Sequence, residues 1–271
     1  MKRLLPLVLM LWMGVGAFAQ EYTPMSKQLR NFAIPDMKAV REAVNPVEQP
    51  ANPYVRSGRG IYESEIGNTF YDLQSNTSAP ANRFYRYEDG TMAGVWTRGI
   101  NTAGYADRGT GYNYFNGADW GPAPTARIET QRTGWPTYAP QGDGELVIAH
   151  HNTAGLVVSR RDSRGTGAWA QSILAGPAGA VDISWPRMVS SGENHQYIHL
   201  LAMTYVAYEN LDLAMLYYRS ADGGQTWDKQ HQILPGMTSD EYTGFSGDTY
   251  SWAEPKGDTI AFVVCDNWSD L

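Results

Sequence analysis

The string Ser220-Ala221-Asp222-Gly223-Gly224-Gln225-Thr226-Trp227 constrains the fold more than any other part of the sequence, because it recurs in weaker form at a regular interval. Its chemistry is that of a folded hairpin turn. The Asp222 carboxylate and the Ser220 hydroxyl can hold backbone N–H groups, Gly224 permits a positive φ, and Trp227 offers a large face for burial between sheets. A worn copy lies at Asp162, Gly165 and Trp169, one residue longer between Asp and Gly, and a vaguer one runs from Asp107 to Trp120. The closing residues Trp120, Trp169 and Trp227 stand 49 and 58 positions apart.

A second marker steps with the first. Units open at Trp135-Pro136, Trp185-Pro186 and Trp252, 50 and 67 positions apart. Between the markers lie strand-like runs at 145–151, 155–160, 197–205, 213–220 and 258–265. Arg83 to Tyr87 and Thr91 to Thr97 flank Glu88-Asp89-Gly90, a hairpin signal. Aromatic residues at 12% and 28 glycines suit strands joined by tight turns. Repeats of this length, each a small antiparallel sheet, predict an all-β chain built as propeller blades.

The N-terminus reads differently. Lys2 and Arg3 precede an apolar stretch from Leu4 to Met13 and the small-residue end Ala17-Phe18-Ala19, the layout of a cleaved signal peptide over 1–19. That stretch is shorter than a membrane span, and no later segment is long and apolar enough for one. Residues 20–60, punctuated by Pro35, Pro46, Pro50 and Pro53, read as a leader or linker. The expectation is a protein secreted or held at the cell surface. Removing Lys2 and Arg3 leaves 19 basic residues against 28 acidic ones, with no basic stripe for nucleic acid. Cys265 is the single cysteine, so packing must stabilise the fold without an internal disulfide.

The pattern Ser-x-Asp-x-Gly-x-Thr-Trp, matched by Ser220, Asp222, Gly224, Thr226 and Trp227, is the Asp box, and at blade spacing it resembles the sialidase-like, or BNR-repeat, β-propeller superfamily. The run Asp107 to Phe115, with Arg132-Thr133-Gly134-Trp135-Pro136 and Gly144-Glu145-Leu146, also resembles a group of secreted Bacteroidetes proteins that usually carry a sorting domain for type IX secretion. The resemblance implies a six-bladed propeller when complete, of which 61–271 would be the first three to four blades, truncated at the C-terminus. Such a truncation implies an unpaired sheet edge near Trp268 and poor solubility. It also assigns the Asp box a structural role on the outer part of a blade.

Sialidases hold a substrate carboxylate with arginines and use a Tyr-Glu nucleophile with an Asp acid/base. The nearest match to the superfamily's Arg-Ile-Pro motif is Arg127-Ile128-Glu129, which lacks the proline. The other catalytic positions would fall on later blades, so this chain alone is expected to be inactive and its catalytic residues are not assignable. The ligand-binding candidates are Arg108, Tyr112, Arg127, Glu129 and Trp135, because guanidinium forks hold carboxylates and aromatic faces pack on sugar rings. The competing reading pairs Arg127 with Glu129 on the surface and buries Trp135 between blades. His150 and His151 must point to opposite faces of their strand, whereas His195 and His199 share parity. No metal or cofactor is predicted. Two functions follow: a recognition module binding glycan or protein, which is preferred, or an exo-acting glycoside hydrolase of sialidase type.

Overall fold

The computed structural model describes residues 63–72, 74, 82–151, 155–179, 182–247 and 249–265. The predicted signal peptide, the leader 20–60 and Trp268 lie outside them. Thirteen strands and no helix occur among the described residues.

The strands form four antiparallel sheets in chain order. The first holds β1 (Phe84–Arg86), β2 (Met92–Arg98) and β3 (Gly109–Phe115). The second holds β4 (Gly134–Gln141), β5 (Gly144–His151), β6 (Gly155–Arg161) and β7 (Ala170–Leu174). The third holds β8 (Ile183–Ser191), β9 (Tyr197–Thr204), β10 (Met215–Ser220) and β11 (Lys229–Gln232), and the fourth pairs β12 (Tyr250–Trp252) with β13 (Phe262–Val264). Within each sheet, consecutive strands are neighbours, as short turns require.

How the sheets stack follows from the two-residue period of a strand. On β5, Leu146 and Ile148 are fully buried in a cluster with Met188, Ile198, Leu200 and Tyr218 of the third sheet. Val147 between them points the other way, into a cluster with Tyr87, Ala93 and Val95 of the first sheet. The second sheet is therefore covered on both faces by its neighbours. Trp252 of the fourth sheet joins the cluster of the third and donates its Nε1–H to the Arg187 carbonyl at 2.8 Å. The sheets are propeller blades. Each buried Leu or Ile contributes roughly 1.5–3 kcal/mol.

The blades have two ends. At the upper end β4 and β8 begin, and the loops β2–β3 and β9–β10 cross. At the lower end lie the tight turns β1–β2, β4–β5 and β8–β9 and the Ser220–Trp227 turn. There the Asp222 carboxylate accepts the N–H of Gln225 at 3.1 Å and of Thr226 at 2.8 Å, while Ser220 Oγ accepts Gly224 N–H at 2.8 Å. Gly224 takes φ 84° directly above Leu146.

The equivalent turn of the second blade is held from elsewhere. Asp162 pairs with Arg160 at 3.0 Å on the surface, and it is Glu145 that accepts the Gly165 N–H, at 2.9 Å. Two markers read from the sequence shift. Asp107 lies in the β2–β3 loop at the upper end, where it accepts the N–H of Ile100 and Asn101, so it shares no turn with Trp120. Trp252 ends β12, pairing with Phe262, whereas Trp135 and Trp185 sit near the starts of their strands. A fixed count along the chain cannot see which end of a blade a residue occupies.

Candidate ligand-binding site

Trp135 and Trp185 repeat one local structure. Each is followed by proline, each lies in a register irregularity of its strand, and each has a left-handed backbone, φ 50° and 48°. That conformation is costly for a bulky residue and persists only where the surroundings enforce it. At Trp135 the Thr97 hydroxyl accepts the backbone N–H at 3.1 Å. At Trp185 the Tyr250 hydroxyl donates to the backbone carbonyl. The bulges turn both indoles toward the upper end.

There the rings meet. Trp185 stacks on Tyr205 at 5.5 Å, and His150 packs against Trp135, Trp185 and Tyr205 at 5.8, 6.2 and 5.8 Å. Tyr71 meets Trp135 edge-on at 6.2 Å and Tyr105 at 5.0 Å. Trp185 also lies against Gly247, where a β-carbon would fall 2.6 Å from the ring. Tyr205 is 53% exposed, so this row of rings opens to solvent. The indole N–H groups of Trp135 and Trp185 find no acceptor among the described residues.

Of the five residues read from the sequence, two come together here. The Arg108 guanidinium lies 4.8 Å from the Trp135 ring centre and 5.1 Å from that of Tyr71, and it donates to the Thr133 carbonyl at 2.8 Å and the Tyr71 hydroxyl at 3.1 Å. Burial, reinforced by Arg132, pushes its pKa down. Arg127 lies along Gly109 and donates to the backbone carbonyls of Ala106 and Arg108, at 3.0 and 3.3 Å. Glu129 is buried and accepts the N–H of Thr110 at 2.8 Å; burial pushes its pKa up. Arg127 braces the β2–β3 loop and Glu129 the start of β3, and the two do not form the surface pair the sequence suggested.

Tyr112 belongs to a different assembly. Its hydroxyl donates to Glu145 at 2.8 Å, as does that of Tyr138 at 2.7 Å, and Arg161 pairs with the same carboxylate at 2.5 Å. Glu145 is fully buried. Burial and the Glu145 charge hold the phenols of Tyr112 and Tyr138 far above the usual range, so both stay protonated. The sequence reading missed this hub. It also missed Tyr205, although Trp185-Pro186 repeats the motif that singled out Trp135.

Along the axis, β1, β4, β8 and β12 line a cavity of about 850 Å3. Gln74, Asn82 and Arg83 belong to its lining, and none of the rings of the aromatic row does. Asn82 bonds to Tyr138 N–H at 2.6 Å and the Met188 carbonyl at 2.8 Å, and Arg83 donates to the Pro136 carbonyl at 3.2 Å and to Gln74. His195 occupies the β8–β9 turn with φ 53° and lines this cavity. No group of three potential metal ligands occurs among the described residues, nor any helix long and apolar enough to cross a membrane.

Neither a protein-family model nor a curated protein matches the chain. Among solved structures it is similar to a Bacteroides ovatus xyloglucan-locus GH43B protein, at 15% identity and TM-score 0.39 over 65% of this chain and 36% of that one. It is also similar to a GH93 α-L-arabinofuranosidase of Fusarium graminearum, at 14% identity and TM-score 0.43 over 71% and 56%, and to a Trypanosoma rangeli sialidase mutant, at 12% and 0.35 over 62% and 33%. The propeller assignment rests on the sheet packing described above.

Proposed function

We propose that the upper end of the propeller binds carbohydrate and that the protein is an exported recognition module. The observation that carries this reading is the Trp185–Tyr205 stack, extended through His150 to Trp135 and Arg108, on a backbone held in the left-handed region at both tryptophans. Flat aromatic faces suit the apolar face of a sugar ring. Export is supported by the composition of residues 1–19.

Binding is favoured over hydrolysis in that Asp107, Glu129 and Asp182, three of the carboxylates at this end, are each engaged by backbone N–H groups. A glycosidase of sialidase type needs a free acid/base there. A mixed glycan array, run beside a panel of fluorogenic glycosides, tests the reading. Array binding without turnover, weakened about 3- to 10-fold by Tyr205→Ala, is expected. Turnover makes the protein a hydrolase, and silence on both points to a protein partner.

A further inference from the structure

We propose that the lower half of the axial channel is a second ligand site, separate from the aromatic row, and that it takes a small aromatic acid carrying one negative charge. The cavity reaches Tyr138, Ala139 and Pro140 of β4, Val189 and Ser190 of β8, the β8–β9 turn at His195, and Ser251 and Trp252 of β12. All of these lie toward the ends of their strands that face the tight turns. None of the rings of the aromatic row lines it.

Its walls set the shape of the occupant. Tyr85, Pro140, Val189, Trp252 and Pro255 give flat apolar surface suited to an aromatic ring, and Ser190, His195 and Ser251 give it polar edges.

Its charges set the sign. Arg83 forms the inner end, and its acceptors are the Pro136 carbonyl and the side-chain and backbone oxygens of Gln74, none of them a carboxylate. Arg187 stands behind it, buried, donating to the Gly247 carbonyl at 2.8 Å and lying 4.4 Å from the Tyr250 ring centre, with Nη1 lacking an acceptor among the described residues. The two cations are close enough that Arg187, after burial, lowers the Arg83 pKa to about 10. Two neighbouring guanidiniums with no carboxylate partner among the described residues are unfavourable, and a bound anion relieves that cost. Of the Arg and carboxylate side chains in the lining, exposed Glu254 offsets exposed Arg86 and Arg83 remains, so the net demand is for a single negative charge beside Arg83.

The test is calorimetric titration of the full chain with 4-hydroxycinnamate and with its uncharged amide. The acid is expected to bind with 1:1 stoichiometry and the amide about tenfold or more weakly, the size of one lost charge-assisted contact. Ser251→Trp and Pro255→Trp, both at partly exposed wall positions, should abolish binding of the acid, while Trp185→Ala should leave it unchanged. Arg83→Gln should erase the difference between acid and amide in protein whose circular dichroism is native. Equal binding of acid and amide, no binding of either, or binding indifferent to both tryptophan substitutions overturns the proposal. Glycan binding on the aromatic row stands or falls separately, since it answers to Tyr205 and Trp185.

Discussion

Glu145 and Arg161 form an ion pair at 2.5 Å with the carboxylate wholly removed from solvent. The same carboxylate takes hydrogen bonds from Tyr112, Tyr138 and the Gly165 N–H, so one side chain ties β3, β4, β6 and the β6–β7 turn together. Removing it leaves a buried guanidinium without a counter-ion. Glu145→Leu is expected to destabilise the fold by about 3–5 kcal/mol, measured as a fall in the urea midpoint. A change under about 1 kcal/mol would mean that the pair is hydrated in solution.

Asp222 gives a prediction with a sign. Burial alone would raise its pKa, but hydrogen bonds from Thr226, Ser220 and Gln225 outweigh that and hold it below the ordinary value. A carboxyl depressed in the folded state adds stability above its unfolded pKa, and that stability is lost as pH falls through the folded value. Urea unfolding from pH 6 down to about pH 3 should therefore show a steeper loss in the native protein than in Asp222→Asn. Parallel curves would remove the carboxylate from the account of this turn.

Gly247 is expected to govern the aromatic row without touching ligand. A β-carbon there would fall 2.6 Å from Trp185, so Gly247→Ala must shift the indole off Tyr205. Array binding should weaken about as much as for Tyr205→Ala, and near-ultraviolet circular dichroism should change with it. Native binding by Gly247→Ala would show that the row adapts.

The parts of this fold legible in the sequence are those fixed by neighbours in the chain. The Ser220–Trp227 turn closes through contacts no more than four residues apart, and the Asp89-Gly90 hairpin through contacts of two. Trp-Pro marked where β4 and β8 open but not their bulges, since proline drives the residue before it toward extended backbone and both tryptophans are left-handed. The Glu145 hub was hidden because its partners Tyr112, Tyr138 and Arg161 lie 33, 7 and 16 positions away on other strands. Arg127 and Glu129 were legible as a pair but not in role, since Arg127 reaches the carbonyls of Ala106 and Arg108 and Glu129 reaches Thr110 of β3, about 20 positions away along the chain in each case. Arg108 and Trp135 were both named, yet only the bulge at Gly134–Thr137 explains why they meet.

Glu145 also bears on how blades are counted in distant relatives. In the third blade the turn is anchored by an aspartate within the turn itself, and in the second by a glutamate reaching across from the adjoining strand. The anchoring acid stands at different places in the two blades while the architecture is the same. A search keyed to the aspartate motif would score the second blade as decayed and undercount the repeats, whereas one that also admits a buried acid on the second strand would recover both.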